Sequence, residues 1–326
     1  LVGSEMCIRD REWHAEVTEG TEWCSFSSKD YNITTKSGQI ADGLNVLYVY
    51  YKTNSGKTQR RAQLTLRFAE NAQKTFDLVQ LAESQENLPA FNSWAELPTK
   101  VENTNYQYVT HYGLLNNQTI RNYSICFDKT KKAALWVAYP IHDPIVPQSF
   151  QANCVEHSYK GSYDRGHQIA SADRVCTDEM NAQTFYMSNM TPQLGSLNQQ
   201  MWATLEGKVR SYSCSDTLYV VTGAYFGPGA TTTTDGVGSS VPVPTNYFKV
   251  LLRTKSGSTN KKVQDCSPNE LISIGFWVEQ KGYGNSIPKS ICTTVADIEE
   301  KTGFTFFPKV DSSVKQQMDL AQWGIK

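Results

Sequence analysis

Short runs in which apolar and polar residues alternate fill the first part of the chain, from Trp13 to Ser84. Three of these runs are rich in β-branched and aromatic residues: 46–51, 62–68 and 75–80. A period of two places one set of side chains on a buried face. Because short polar turns separate the runs, the pattern predicts an antiparallel, immunoglobulin-like sandwich that is all β.

In the second part of the chain, strand and helix periodicities are mixed. The apolar runs 123–127 and 133–139 flank a charged turn and predict a β-hairpin. Further strands are predicted at 217–222, 247–253 and 271–278, and helices at 178–187, 193–211 and 295–302. Residues 227–244, rich in Gly, Thr and Pro, are expected to form a surface loop. Since strands and helices do not alternate strictly, the predicted fold class is α+β.

The same patterns divide the chain into four segments. Residues 1–11 lack the apolar stretch of a signal peptide, and we interpret them as a fragment end or a non-native piece. The β-module is predicted at 12–86, a linker with two prolines at 87–98, and the second domain at 99–326. No run of eighteen apolar residues occurs, so no transmembrane helix is expected.

Eight cysteines are spread singly, at positions 7, 24, 126, 154, 176, 214, 266 and 292. None forms a C-x-x-C pair, the spacing of many zinc and redox sites. Single cysteines favour disulfides in an oxidising compartment, here among the six in the second domain, and buried thiols are the alternative. The sequence therefore predicts a secreted, periplasmic or surface-anchored protein whose export signal lies outside this chain.

The charge is balanced, with 31 Lys and Arg, 32 Asp and Glu and a net charge of −1. Proteins that store or package nucleic acid carry a global positive field, so tight, salt-sensitive binding of that kind is not expected. An enzyme needs only a local cluster of cations and a metal ion to hold one phosphate, so nucleic-acid chemistry stays open.

The first module also carries a recognisable order of features. Trp23 comes early, a strand ends in Tyr-Tyr-Lys-Thr-Asn (50–54), Arg-Arg-Ala-Gln-Leu-Thr (60–65) follows, and Leu-Val-Gln-Leu-Ala (78–82) closes the module. This order resembles the BACON-like family. The resemblance implies either a carbohydrate or mucin ligand or a spacer that holds a catalytic domain away from the cell. We favour the spacer because the aromatic residues fit an alternating buried face.

The residues with the richest chemistry lie between positions 163 and 210. Tyr-Asp-Arg-Gly-His-Gln (163–168) is followed by Ser-Asn-Met-Thr-Pro-Gln (188–193), by Leu-Asn-Gln-Gln-Met-Trp-Ala-Thr-Leu-Glu (197–206) and by Arg210. Together they supply a base, cations, carboxamides and a carboxylate. Hydrolysis of a phosphodiester needs this set of groups.

In this order the motifs resemble the DNA/RNA non-specific endonuclease family, the ββα-metal nucleases with an Asp-Arg-Gly-His motif. Similar segments continue outside the motifs, among them Trp-Val-Ala-Tyr (136–139), Val-Thr-Gly (221–223) and Phe-Lys-Val (248–250), so that the resemblance spans 106–308. It implies a ββα-metal nuclease domain that hydrolyses DNA and RNA with one Mg²⁺ ion, which Mn²⁺ can replace. The products are expected to carry 5′-phosphates because water attack expels the 3′ oxygen.

Two residues carry the central roles that this resemblance implies. His167 is the expected general base, since an unperturbed histidine titrates near neutral pH and can take a proton from water. A structural histidine is the alternative. Asn198 is the expected single protein ligand of Mg²⁺, an ion that binds oxygen and keeps most of its water. The alternative for Asn198 is a helix N-cap, and both roles can coexist.

The remaining site residues surround these two. Glu206 would stand about 12 Å from Asn198 along a regular helix, so we expect it to act through water or by orienting Arg210. An ordinary surface ion pair is the alternative. Arg165 and Arg210 are the expected phosphate-binding cations. Asn189 completes the catalytic set, as a support of the His167 loop or a contact to the substrate.

Two points limit the expectation of an active enzyme. Many family members carry a further phosphate-contacting arginine before the Asp-Arg-Gly-His motif, whereas residues 139–164 contain no Arg and a single Lys160. A fold also does not guarantee its chemistry, so a surface glycan-binding protein with an inactive nuclease fold is the alternative function. The intact motif residues favour the enzyme, and the sequence gives no signal for an oligomeric state.

Overall fold

The computed structural model describes residues 12–39, 47–52, 54, 60–68, 72–80, 94–115, 118–141, 159–236 and 238–325. The chain forms two compact units, Leu1–Pro89 and Ala90–Lys326. Each unit is built around antiparallel strands. Within the described ranges no helix combines the length and the apolar content needed to cross a membrane.

The first unit is a small β-structure. Its strands are β1 Glu12–Glu19, β2 Cys24–Ser25, β3 Thr35–Gln39, β4 Tyr50–Tyr51, β5 Arg60–Phe68 and β6 Ala72–Gln80. They form a sheet in the order β3-β1-β5-β6 and a separate pair of β2 and β4. The strands predicted at 62–68 and 75–80 are confirmed, because alternate residues such as Ala62 and Leu64 are buried against Trp23 in one core.

A seven-stranded antiparallel sheet forms the centre of the second unit. The strands of this unit are β7 Tyr106–Leu115, β8 Gln118–Asp128, β9 Ala133–Ile141, β10 Tyr163–His167, β11 Met190–Leu194, β12 Leu218–Tyr225, β13 Thr232–Thr234, β14 Ser240–Pro242, β15 Asn246–Thr254, β16 Leu271–Glu279 and β17 Cys292–Thr293. The sheet order is β17-β16-β15-β12-β9-β8-β7. The predicted hairpin, now β8 and β9, and the predicted strands β12, β15 and β16 are confirmed.

Apolar side chains cover both faces of this sheet. One core contains Tyr139, Leu205 and Tyr247, and the other contains Trp136, Phe248 and Phe306. Burial on both faces explains why β9 and β15 read as nearly continuous apolar runs rather than as alternating ones. Lys249, which lies between apolar residues of β15, is buried with them.

The helices of the second unit are short. They are α1 Asp178–Gln183, α2 Gly195–Leu197, α3 Ala203–Arg210, α4 Val295–Thr302 and α5 Ser312–Lys315, with a π-helical turn at Asn198–Trp202 and 3₁₀ turns at Ser171–Asp173, Met187–Asn189, Val263–Asp265, Pro268–Glu270 and Lys289–Ile291. The prediction for 295–302 is confirmed: Thr294 caps the start of α4 and Gly303, at φ +73°, ends it. The predicted helix at 178–187 is shorter than expected, and the one at 193–211 begins two residues later because β11 extends to Leu194.

The predicted linker and the predicted surface loop both need correction. The segment predicted as a linker at 87–98 is part of the second unit at its C-terminal end, where Ala95 and Leu97 are buried in the sheet core. Between them, the buried carboxylate of Glu96 pairs with the buried guanidinium of Arg121. The expected surface loop at 227–244 contains the short ribbon of β13 and β14.

The predicted disulfides are not found among the described residues. The described cysteines, all of them free thiols, are Cys24, Cys126, Cys176, Cys214, Cys266 and Cys292, while Cys7 and Cys154 lie outside the described residues. Cys126 is fully buried in β8 and packs in the core with Trp136. Burial raises the pKa of the Cys126 thiol to about 12. It therefore behaves as a small apolar side chain, the alternative that the sequence left open.

Candidate active site

The Asp-Arg-Gly-His motif lies on a strand, which the sequence pattern did not predict. β10 pairs with β11 in a two-stranded antiparallel ribbon, in which His167 is opposite Met190 and Arg165 is opposite Pro192. The chain then continues directly from β11 into α2, the π-helical turn and α3. Two strands followed by a helix form the ββα unit that the resemblance implies.

Gly166 is required by the packing of this ribbon. A Cβ atom at Gly166 would lie 2.5 Å from the Cβ of Gln193, a distance that no side chain tolerates without movement. Gln193 is itself fully buried. The small residue before His167 thus serves the contact between the two strands.

Three of the predicted site residues face one cavity. His167, Asn198 and Glu206 line a cavity of about 370 Å³ together with Ala170, Ser171, Ala172 and Val175. The remaining wall residues carry no charge. The ββα unit therefore brings a base, an amide and a carboxylate together around a space large enough for a phosphate and water.

The ring of His167 has one nitrogen without a hydrogen-bond partner among the described residues. This atom, Nε2, is buried. The ring packs edge-on against Phe185, with centroids 5.0 Å apart. Burial and the nearby Arg165 cation lower the pKa of His167 to about 4, against a backbone hydrogen bond with Arg165 that raises it. The imidazole is neutral at physiological pH and able to accept a proton.

The side chain of Asn198 is oriented by Asp164. Its amide nitrogen donates to Asp164 Oδ2 at 2.9 Å, and the neighbouring Gln199 amide donates to the same oxygen at 2.8 Å. With the nitrogen committed, the carbonyl oxygen is the atom that Asn198 can offer to a cation. The backbone of Asn198 is helical, at φ −58° and ψ −49°, and lies within the helical run, so the N-cap alternative is wrong.

A divalent cation fits this donor set. Amide and carboxylate oxygens are the ligands that Mg²⁺ prefers, and Mg²⁺ keeps several waters where the protein offers few ligands. Within the described ranges no three His, Cys, Asp or Glu residues lie close enough together to hold a metal ion. His167, whose buried Nε2 has no hydrogen-bond partner among the described residues, and Asn198, whose amide is oriented by Asp164, line the same cavity, so both can act on a hydrated ion with one protein ligand.

Glu206 is the carboxylate of the cavity. The side chain is half-buried, and burial raises its pKa to about 7, while the cations Lys249 and Arg210 act in the opposite direction. A carboxyl group with this pKa changes its charge within the physiological range. It is a candidate for proton or water handling rather than a surface ion pair.

Arg210 is held by Asp173 and not by Glu206. Its Nη1 donates to Asp173 Oδ1 at 2.9 Å, and Tyr139 donates its hydroxyl to Asp173 Oδ2 at 3.0 Å. Burial lowers the pKa of Arg210, but the Asp173 carboxylate outweighs it and raises the pKa overall. The expectation that Glu206 orients Arg210 is therefore wrong. The buried carboxylate of Asp173, in the 3₁₀ turn Ser171–Asp173, holds the guanidinium instead.

Arg165 and Asn189 differ in what they can reach. Arg165 is half-buried in β10 and forms no ion pair with a described residue, so its guanidinium is available to a phosphate. Asn189 is fully buried, and its amide bonds only the backbone of Ile169 and Thr184. Of the two roles expected for Asn189, the geometry fits support of the segment after His167.

The further phosphate-contacting arginine of many family members is missing from residues 139–164. Most of that interval, 142–158, lies outside the described residues.

Comparison with known proteins identifies the family. The profile of the DNA/RNA non-specific endonuclease family matches residues 101–313. The chain belongs to this family. Membership makes it an endonuclease and implies nucleic-acid substrates and a divalent metal ion.

Individual nucleases of the family are also similar to this chain. Nuclease C1 of Cunninghamella echinulata var. echinulata is 34% identical over 180 residues, which cover 52% of this chain and 67% of that protein. Mitochondrial endonuclease G of Homo sapiens is 28% identical over 224 residues, covering 61% and 71%. A solved structure described as the EndoG/EndoGI complex superposes with a TM-score of 0.48 at 20% identity, covering 63% of this chain and 89% of that one.

Sequence reasoning missed three residues in this endonuclease site. Asp164 orients Asn198, a contact that the motif by itself does not indicate. Asp173, the partner of Arg210, has no motif around it that could have pointed to this role. Lys249 could have been found, because a charged residue inside the apolar run of β15 is a signal in itself.

Proposed function

We propose that this endonuclease is an exported enzyme that hydrolyses phosphodiester bonds of DNA and RNA with one Mg²⁺ ion and His167 as the general base. The observation that carries the proposal is that His167 lines the same cavity as Asn198 and Glu206 and that its buried Nε2 has no hydrogen-bond partner among the described residues. A neutral imidazole beside such a cavity is suited to take a proton from water.

His167 performs the proton transfer in this proposal. With a pKa of about 4 the ring is unprotonated before the reaction, and Nε2 accepts the proton as the water oxygen attacks phosphorus. The edge-on contact with Phe185 and the strand pairing with Met190 fix the ring's direction. A fixed direction matters because proton transfer depends on hydrogen-bond geometry.

Asn198 would hold the metal ion through its carbonyl oxygen, in the orientation that Asp164 imposes. When bound, the ion supplies positive charge that stabilises the phosphate oxygens and the leaving 3′ oxygen. Departure of the 3′ oxygen leaves the phosphate on the 5′ side, so the proposed products carry 5′-phosphates.

The cations and Glu206 complete the proposed site. Arg165 and Arg210 neutralise charge that grows on the phosphate, and Asp173 limits the positions that Arg210 can take. Glu206, which faces the same cavity, orders water beside the reacting phosphate in its charged form.

The location and the role of the first unit are also proposals. Export is supported by the resemblance of this unit to BACON-like modules, for which a carbohydrate-binding role and a spacer role between a catalytic domain and the cell are both proposed. We propose a spacer role for it. Fractionation of the native host, followed by detection of the protein, tests export: recovery in the cytoplasmic fraction alone would contradict it.

Digestion of supercoiled DNA, linear duplex and RNA, each with a Mg²⁺ and Mn²⁺ titration and with excess EDTA, tests the activity. We expect cleavage of all three substrates that EDTA abolishes, and DNA products that a ligase rejoins without prior phosphorylation. Full activity in EDTA would contradict the metal requirement. No cleavage under any condition would favour the alternative, a surface glycan-binding protein with an inactive nuclease fold.

A further inference from the structure

A lysine is buried in the middle of the central sheet. Lys249 lies in β15 between Phe248 and Val250, and only 1% of the residue is exposed to solvent. Removing an ammonium group from water is costly unless other groups in the protein stabilise its charge. A lysine at a position where both neighbours are core residues therefore needs a compensating partner.

The direct contacts of this lysine supply only part of that compensation. Its Nζ donates to the Thr222 hydroxyl at 3.2 Å and lies 4.5 Å from the ring centroid of Trp202. Trp202 is itself 1% exposed and stands one helical turn before Glu206. Among the described residues, no carboxylate lies within salt-bridge distance of Lys249. The contacts with Thr222 and Trp202 fix the position of the ammonium group. Its charge acts on carboxylates that lie beyond salt-bridge distance.

The charged groups around Lys249 belong to the active site. Burial lowers the pKa of Lys249, the carboxylates of Glu206 in α3 and of Asp173 in the 3₁₀ turn Ser171–Asp173 act in the opposite direction, and Arg210 lowers it further. Tyr139 of β9 also acts on Glu206, and His167 of β10 lines the same cavity as this carboxylate. Glu206 is the anion with the strongest effect on Lys249, and Lys249 is the cation with the strongest effect on Glu206.

We propose that Lys249 is a positioning residue for Glu206: seated against Trp202 and Thr222, its buried ammonium group holds the Glu206 carboxylate in the charged, cavity-facing form that the reaction uses. The inference rests on the proposed function only in giving Glu206 a role in the reaction. Lys249 is not among the residues that line the cavity. Consistent with this, Lys249 opposes the rise in the pKa of Glu206 that burial causes.

The test replaces Lys249 by Met in the full chain and measures the Glu206 carboxyl directly. Carbon-13 NMR of metal-free protein labelled at glutamate gives the titration midpoint, and Glu206→Gln assigns the resonance. We expect the midpoint to rise by about one pH unit or more, since an opposite charge is removed. The nicking rate at pH 7 should fall about fivefold and recover at higher pH, because the ionised fraction falls by that factor.

Three further variants separate positioning from a structural role. Lys249→Arg keeps the charge and should keep the Glu206 midpoint near that of the wild type. Lys315→Met removes another buried lysine of the same unit, one that pairs with Glu299, and should leave the midpoint unchanged. In a Glu206→Gln background, Lys249→Met should cause no further loss of rate, because the residue through which it acts is already neutral.

Folding is checked by the melting temperature. A buried charge replaced by an apolar group of similar volume often leaves stability unchanged, and Lys249→Gln serves as the second neutral variant if Met does not fold. A Glu206 midpoint equal to that of the wild type in a folded neutral variant overturns the proposal, whatever the enzyme's activity. The digestion of DNA and RNA by the wild type tests the proposed function separately.

Discussion

Asp164 accepts a hydrogen bond from the side-chain amide of Asn198 at 2.9 Å, so the strand that carries the base also orients the amide at the start of the helical run. The two residues are far apart in sequence, and the pairing of β10 with β11 brings them together. An oriented amide loses less entropy when its oxygen binds an ion. The base and the proposed metal ligand are thus held by one small ββα unit.

Replacing Asp164 by Ala should raise the Mg²⁺ concentration needed for half-maximal nicking by about 10- to 100-fold, the usual effect of losing a group that orients a ligand. The rate at saturating Mg²⁺ should change less. Gln199→Ala is the matched control, since it removes the other amide that Asp164 binds and leaves Asn198 in place. Identical metal curves for the wild type and Asp164→Ala would exclude this role.

His167 and Asn198 should fail differently. His167→Ala removes the proton acceptor and should lower the maximal rate by about 10²–10⁴-fold, with the same metal requirement. Asn198→Ala should shift the requirement to higher Mg²⁺, with partial rescue by added metal. Metal titrations of the nicking rate measure both. A wild-type rate in His167→Ala would remove this residue from the role of base.

The pH dependence should follow Glu206 rather than His167. The pKa of Glu206 is raised to about 7, so its charged form accumulates as the pH rises through neutrality, whereas His167, with a pKa of about 4, is already unprotonated there. We expect the nicking rate to increase between about pH 6 and pH 8. Glu206→Gln should lower the rate at pH 8 and remove this increase. An increase that persists in Glu206→Gln would assign it to another group.

Gly166→Ala should displace β10, because the added Cβ would come within 2.5 Å of Gln193. A shift of the base by about 1 Å can cost about 10²-fold in rate, and the forced packing should cost about 1–3 kcal/mol of stability. Gly207→Ala is the control: its Cβ would meet its nearest atom at 3.9 Å on α3, and activity should be retained. Nicking rate and melting temperature are the measurements. Equal effects of the two substitutions would refute the steric argument.

The sequence alone was sufficient for the outline of the molecule. The spacing of apolar residues predicted β5, β6, the β8–β9 hairpin and α4. Side-chain direction repeats every two residues in a strand and about every 3.6 in a helix, so the apolar residues of a buried face recur with that period. The ordered motifs around His167 and Asn198 were sufficient to indicate the family, since the chemistry of a phosphodiesterase selects residue types at fixed positions.

Only the tertiary structure decided how those residues act on one another. Polar strands such as β10 carry no hydrophobic period, so the ribbon that joins His167 to Met190 was not predictable from pattern. The partner of Arg210 is Asp173 rather than the helical neighbour Glu206 because the fold places the Asp173 carboxylate 2.9 Å from the guanidinium, and spacing along the chain does not determine that distance. The same holds for the cysteines: whether two thiols can bridge depends on the distance between their Cα atoms, and the folded sheet alone determines that distance.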